Sequence, residues 1–175
     1  MFTKSISKIV SGVILFAALA LGSAQAQQYV PYKGAAAGKV ISREPINGGI
    51  PVPGGLPFRR LISEASGNFT HIGKSTVHFD QVVRLIVEDG VPYLIVDGTY
   101  TVTTANGDTL FGTFQNKQNF ITNEFTTDVV TEGGTGRFAN ASGSLEGAGQ
   151  FDVATDTFVY WLDGVISTVG SSKAK

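Results

Sequence analysis

Gly133-Gly134-Thr135-Gly136-Arg137-Phe138-Ala139-Asn140-Ala141-Ser142-Gly143 joins two stretches that both read as β-strand, and its reading decides the fold. Three glycines within four positions resemble a phosphate-binding loop. Such a loop needs Gly-Lys-Ser/Thr, and a dinucleotide fingerprint needs a helix after the glycines and an acidic residue further on. No Lys follows here, and the next segment is strand-like. The glycines are therefore read as residues that permit positive φ and tight backbone passage at a barrel corner.

Working outward, eight strands are expected between Phe58 and Thr168. The first is Phe58 to Ala65 and the second Asn68 to Phe79, separated by a turn at Ser66-Gly67. Asp89-Gly90-Val91-Pro92 turns the third strand, Gln81 to Glu88, into the fourth, Tyr93 to Thr104. Asn106-Gly107-Asp108 leads to the fifth, Thr109 to Asn116. Asn119 to Thr131, Ser144 to Asp152 and Thr157 to Thr168 complete the set. Short hairpins at this spacing predict an all-β fold, an eight-stranded antiparallel up-and-down β-barrel whose closure removes the sheet edges.

The ends read differently. Met1 to Ala26 carries Lys4 and Lys8, a short apolar run from Ile9 to Leu21, and Ala24-Gln25-Ala26, the small-x-small pattern of a cleaved signal peptide. The run is short for a membrane span, so an exported product, secreted or periplasmic and without stable membrane insertion, is expected. Residues 27–57, rich in Pro, Gly and Ala, are expected to form an arm or linker, since Pro45, Pro51, Pro53 and Pro57 interrupt helix and central strand alike. The barrel domain is then 58–170, with a polar tail at 171–175.

Composition limits the function classes. There is no Cys, so no disulfide supports the fold. The net charge of -1 becomes about −3 once the two leader lysines are removed, and there is no run of like charge. Nucleic acid and anionic membranes call for a basic patch, so neither is an expected partner. An outer-membrane barrel is disfavoured because aromatic girdles are not evident and polar residues such as Thr122, Glu124 and Thr126 recur along the strands.

Gly133, Gly134, Thr135, Gly136, Arg137 and Phe138, with Ala141 and Gly143, resemble the Gly-Gly-Thr-Gly-x-Phe-x-x-Ala-x-Gly signature of the dirigent and allene oxide cyclase barrel superfamily. Phe69-Thr70-His71-Ile72-Gly73-Lys74 adds a likeness to exported bacterial barrels of the same general type. The resemblance implies a barrel whose cavity takes a small hydrophobic substrate, and a homo-oligomer, often a trimer, formed through the outer face. Catalytic residues of the plant members have no matching context here and are not carried over.

Candidate chemistry is sparse. His71 and His78 are the only imidazoles, and neither a metal site nor a cofactor is expected from two His, no Cys and carboxylates placed in turns. An ionisable group inside a barrel would be costly unless paired, which makes Arg84 and Asp163, then Glu124 and His71, the ligand-binding candidates. The last strand is apolar on both faces: Phe158, Tyr160, Leu162 and Ile166 on one, Val159, Trp161 and Val165 on the other. One set can fill the interior; the second then needs a cover. Two functions are expected: an exported barrel that binds a small hydrophobic molecule or assembles as an oligomeric module, and alternatively a cofactor-free cyclase-like or coupling-guiding enzyme of the dirigent kind.

Overall fold

Side chains alternate between the two faces of a strand, so a sheet with one apolar face can bury it by curling until its first and last strands meet. The computed structural model of the protein, which describes residues 28–167, shows that outcome. Its strands are β1 (Tyr29–Pro45), β2 (Arg59–Phe69), β3 (Gly73–Glu88), β4 (Val91–Thr104), β5 (Thr109–Asn119), β6 (Glu124–Gly134), β7 (Gly143–Asp152) and β8 (Thr157–Ser167). Each pairs antiparallel with the next, and β8 returns to β1, so the chain is an all-β, closed, up-and-down barrel of eight strands. The leader expected at 1–26 and the tail at 171–175 lie outside the described residues.

The structure differs from the sequence reading at residues 27–57. Tyr29 to Pro45 is a barrel strand rather than an arm, paired on one side with β8 from Tyr29↔Ser167 to Lys39↔Thr157 and on the other with β2 from Gly34↔Phe69 to Pro45↔Arg59. Pro31 is tolerated because of where its missing N–H would point. The Lys33 N–H, two residues on and so on the same side, donates to Thr70 Oγ1 in the β2–β3 turn, beyond the end of the β1–β2 ladder. Residues 46–58 do form an irregular connection, with a 3₁₀ turn at Asn47–Gly49.

Adding a strand at the start requires one fewer later. Ser66-Gly67 lies inside β2, not in a turn, and the second and third expected strands merge into the long β3. The true β2–β3 turn is at 70–72, where His71 adopts φ 66° and Gly73 φ 71°. Gly67 cannot be larger, since a Cβ there would overlap the Ala35 carbonyl oxygen of β1.

Inward positions on β3 are Ser75, Val77, Phe79, Gln81 and Val83, and on β8 Phe158, Tyr160, Leu162 and Ile166. The opposite face of the sheet carries Lys33, Glu64, Lys74, Asp128, Glu132, Glu146 and Asp163, all exposed. A band of lipid-facing strand would have to bury such charges in hydrocarbon, which is costly near mid-membrane. Among the described residues no helix is long and apolar enough to cross a membrane.

The glycine-rich connection closes one end of the barrel. Gly133 and Gly134 finish β6, Gly136–Phe138 form a 3₁₀ turn, and Gly143 opens β7. Only Gly136 of the motif's first three glycines has a positive φ, 55°. Gly134 is small for a different reason: a Cβ there would overlap the Thr109 carbonyl oxygen and lie 2.6 Å from Phe138 Cβ. The Thr135 N–H donates to the Thr109 carbonyl at 2.9 Å, while the Thr109 N–H donates to Thr135 Oγ1 at 3.0 Å. At the other end of the connection the Ser142 N–H donates to Ser167 Oγ and the Ser167 N–H returns to the Ser142 carbonyl. The loop is thereby strapped to β5 and β8, and Phe138, 3% exposed, is pressed into the core. Arg137 lies over the Phe138 ring at 4.6 Å and beside Asp108 at 3.6 Å. The motif therefore plugs an end, and the ring itself is closed by β1 and β8.

If Phe138 is that plug, Phe138→Ala should lower unfolding free energy by about 3–5 kcal/mol, the usual cost of removing a buried aromatic ring. Urea denaturation followed by Trp161 fluorescence checks it, and a loss below about 1 kcal/mol would show that the ring is not core.

Candidate functional site

At the end opposite the plug, the barrel opens into a cavity of about 410 Å³. That volume is in the range of small-molecule sites. Its walls are apolar over most of their area, with Val77, Val83, Leu94, Val96, Phe114 and Leu162 among the lining residues. Four rings form one cluster: Phe79 meets Phe114 edge-on at 5.4 Å and also meets Phe158 and Tyr160, which stack on each other at 6.1 Å. Around the mouth, Phe120 and Val153 are exposed lining residues and Ile121 is exposed beside them.

Small residues make room for the large ones. A Cβ at Gly34 would fall inside the Phe69 ring, which instead stacks on Tyr32 at 6.0 Å; a Cβ at Gly149 would strike Phe125. β1 and β7 therefore carry glycine under two of the rings that shape the lumen.

Polar groups in the lumen are mostly neutral. Ser63, 0% exposed, accepts a hydrogen bond from Gln81 Nε2 at 2.9 Å. The Tyr100 hydroxyl bonds Thr131 Oγ1 at 2.8 Å. Nearer the mouth, Gln118 Nε2 donates to Asn123 Oδ1 at 3.3 Å. Two cations line the rim, and a bulge explains one of them. The β1–β2 register shifts between Val40 and Ser42, so an extra residue turns Arg43 toward the lumen, where its guanidinium pairs with Asp156. Arg59 lies over the Phe58 ring at 5.4 Å and has no carboxylate partner among the described residues. Among the described residues no Asp, Glu or His lines the cavity.

Three tyrosines enter this space, Tyr32 from β1, Tyr100 from β4 and Tyr160 from β8. Burial pushes all three phenols above their ordinary value. Tyr100 rises to about 12, its hydrogen bond to Thr131 pulling the other way. Tyr32 and Tyr160 rise further; after burial, Tyr100 and Tyr160 act on Tyr32, and Tyr100 acts on Tyr160. At any ordinary pH these groups are protonated donors.

The residues chosen from the sequence lie elsewhere. Arg84 does share a face with Val82 and Ile86, but it is the outer one, where it meets Asp97 at 3.2 Å. Asp163 is also outside, paired with Lys33 at 2.7 Å across the β1–β8 register. Glu124, at the start of β6, is exposed and accepts from Thr122 Oγ1 at 3.2 Å. His71 sits in the β2–β3 turn with Nε2 3.0 Å from the Pro31 carbonyl oxygen. The four are not brought together, and none lines the cavity. Tyr32, Gln81 and Tyr100, which do line it, carry no charge, so the cost of burying an ionised group does not mark them out in the sequence. The signal for Tyr100 was the alternation Leu94, Val96, Tyr100, Val102 along β4. Among the described residues no group of three or more His, Asp or Glu is placed to hold a metal ion.

No family model matches this chain, and no curated protein matches it. Among solved structures, it is similar to a pterocarpan synthase dirigent protein, at 12% sequence identity and a TM-score of 0.43, over 81% of this chain and 92% of that one.

The phenols give a pH signature. In the unfolded chain they ionise near their ordinary value of 10.0, whereas in the barrel they hold their protons to about 12 or beyond. Between those limits the folded state binds more protons than the unfolded one, so stability present below pH 10 is lost as pH rises, by about 1.4 kcal/mol per pH unit for each phenol. Melting temperature should fall steeply above pH 10, and tyrosinate absorbance at 295 nm from these three residues should appear together with unfolding. Full tyrosinate absorbance in a still-folded protein at pH 11 would contradict their burial.

Proposed function

We propose that this protein is an exported barrel whose lumen binds a small, mostly apolar molecule, and that copies of it associate through the outer face of β1 and β8. The observation that carries the first part is the 410 Å³ apolar cavity, plugged at one end by Phe138 and open at the other. Binding is preferred to acid–base catalysis because among the described residues no carboxylate or imidazole lines that cavity, so a bound molecule meets hydrogen-bond donors and rings there but no group suited to shuttle a proton near neutral pH. Export rests on the N-terminal pattern at 1–26.

The second part rests on Trp161. It is 56% exposed on the outer face, with Val159 and Val165 beside it on β8, and it faces Ala35 of β1 and Ala148 of β7 in the register. An exposed indole with an alanine on the strand to either side presents an apolar patch that a second copy can cover. The resemblance in Gly133–Gly143 makes three the expected number of copies.

Two measurements follow. Leu94→Trp fills the lumen from the wall and should weaken binding of the neutral fluorophore 1-aminoanthracene at least about tenfold, while the melting temperature moves by only a few degrees. Unchanged dye affinity would remove the lumen as the binding site. Trp161→Glu should convert the assembly to monomer in native mass spectrometry without unfolding it, since the side chain is already half in solvent. A wild-type protein that is monomeric at micromolar concentration would end the assembly reading.

A further inference from the structure

The lumen contains buried phenols that its own walls do not satisfy. Tyr32 is only 4% exposed and stacks on Phe69, yet its hydroxyl has no hydrogen-bond partner among the described residues. Tyr160, packed on Phe79 and Phe158, is in the same position. Among the described residues no fully enclosed side-chain polar atom lacks a partner, so both hydroxyls open onto the cavity they line. They project from neighbouring strands on the same inner face, the register placing Tyr32 opposite Gly164 and Tyr160 opposite Ala36. Tyr100, on the facing wall, already has its partner in Thr131.

We propose that Tyr32 and Tyr160 form a hydrogen-bond donor site for the carbonyl oxygen of a neutral, otherwise apolar ligand. This rests on the binding function proposed above and specifies its ligand class. A donor left without a partner in an apolar enclosure is costly, and an acceptor entering the lumen removes that cost by making the bond. A carbonyl oxygen has lone pairs to accept from either phenol. An anion is the wrong occupant for this part of the lumen. The lining cations, Arg43 and Arg59, stand at the rim, and a carboxylate beside the tyrosines would be buried with no opposite charge. The raised phenol pKa values support the same assignment, since the groups stay protonated and donate at every pH the fold tolerates.

The test uses two dyes of nearly equal size: 6-propionyl-2-(dimethylamino)naphthalene, a neutral ketone whose emission moves to the red when its carbonyl is hydrogen-bonded, and 6-propyl-2-(dimethylamino)naphthalene, in which a methylene replaces the carbonyl and no acyl group remains. The wild-type protein is expected to prefer the ketone. Tyr32→Phe with Tyr160→Phe keeps both rings, and should weaken ketone binding about five- to tenfold and shift its bound emission to the blue, while the affinity for the acyl-free dye changes less than about twofold. If the wild type and the double variant bind both dyes alike, the donor site is wrong and the binding lumen stands. If the wild type binds neither dye, both the donor site and the binding function fall. The melting temperature of the double variant, measured alongside, identifies any loss due to misfolding. In that event each single variant is titrated instead, and ketone affinity equal to wild type in both overturns the site.

Discussion

The ladder between β1 and β8 is the constraint on which everything else depends. Eleven register pairs, Tyr29↔Ser167 to Lys39↔Thr157, convert an open sheet with two unpaired edges into a ring. Without it β1 and β8 would each expose a row of backbone donors and acceptors, and the lumen would be a groove open along its length. The ladder also sets what the lumen contains. Once Ala36 is held opposite Tyr160, and Gly38 opposite Phe158, the inner face of β1 is mostly small and the rings of β8 have space to lie across it.

That pattern of small against large recurs around the barrel. Gly34 makes room for Phe69, Gly149 for Phe125 and Gly133 for Phe111, whose ring lies against the outside of the sheet. Glycine in a strand ordinarily weakens it by losing side-chain packing and adding unfolded-state entropy. Here each absent side chain is replaced by an aromatic ring from a neighbouring strand. Lumen shape is therefore a property of pairs of strands, and changing a glycine in β1 or β7 alters the cavity as directly as changing one of its rings.

This explains what could be read from the sequence and what could not. The class was legible because turn chemistry at Asp89-Gly90 and Asn106-Gly107 is local, and because period-two alternation is strong in β4, β5 and β6; the count of eight agrees because one strand too many between Phe58 and Glu88 stands in for β1. β1 was not legible. Its Ala35-Ala36-Ala37 run and glycines have poor strand propensity, and its fitness as a strand comes from the rings that β2 and β8 lay over it, which a local reading cannot supply. The site was obscured for a related reason. A one-residue change of register exchanges the faces of a strand, so whether Arg84 or Leu85 points inward is undetermined until pairing with β4 is known. Tyr32 was hidden twice, by lying in a strand that reads as a linker and by carrying no charge.

The two faces of β8 connect the barrel's interior to its surface. Tyr160 and Trp161 are consecutive on one strand backbone, one inside against Phe79 and one outside between Ala35 and Ala148. If a second copy packs on Trp161, it presses on the same β1–β8 ladder from which Tyr32 and Tyr160 project. The hydrogen-bonded ladder ties the two strands together, so a displacement of one is carried to the other. Assembly on the outer face and hydrogen-bond geometry in the lumen are then linked through one backbone ladder, with coupling that must be reciprocal: whatever assembly does to ligand affinity, ligand does to assembly by the same factor.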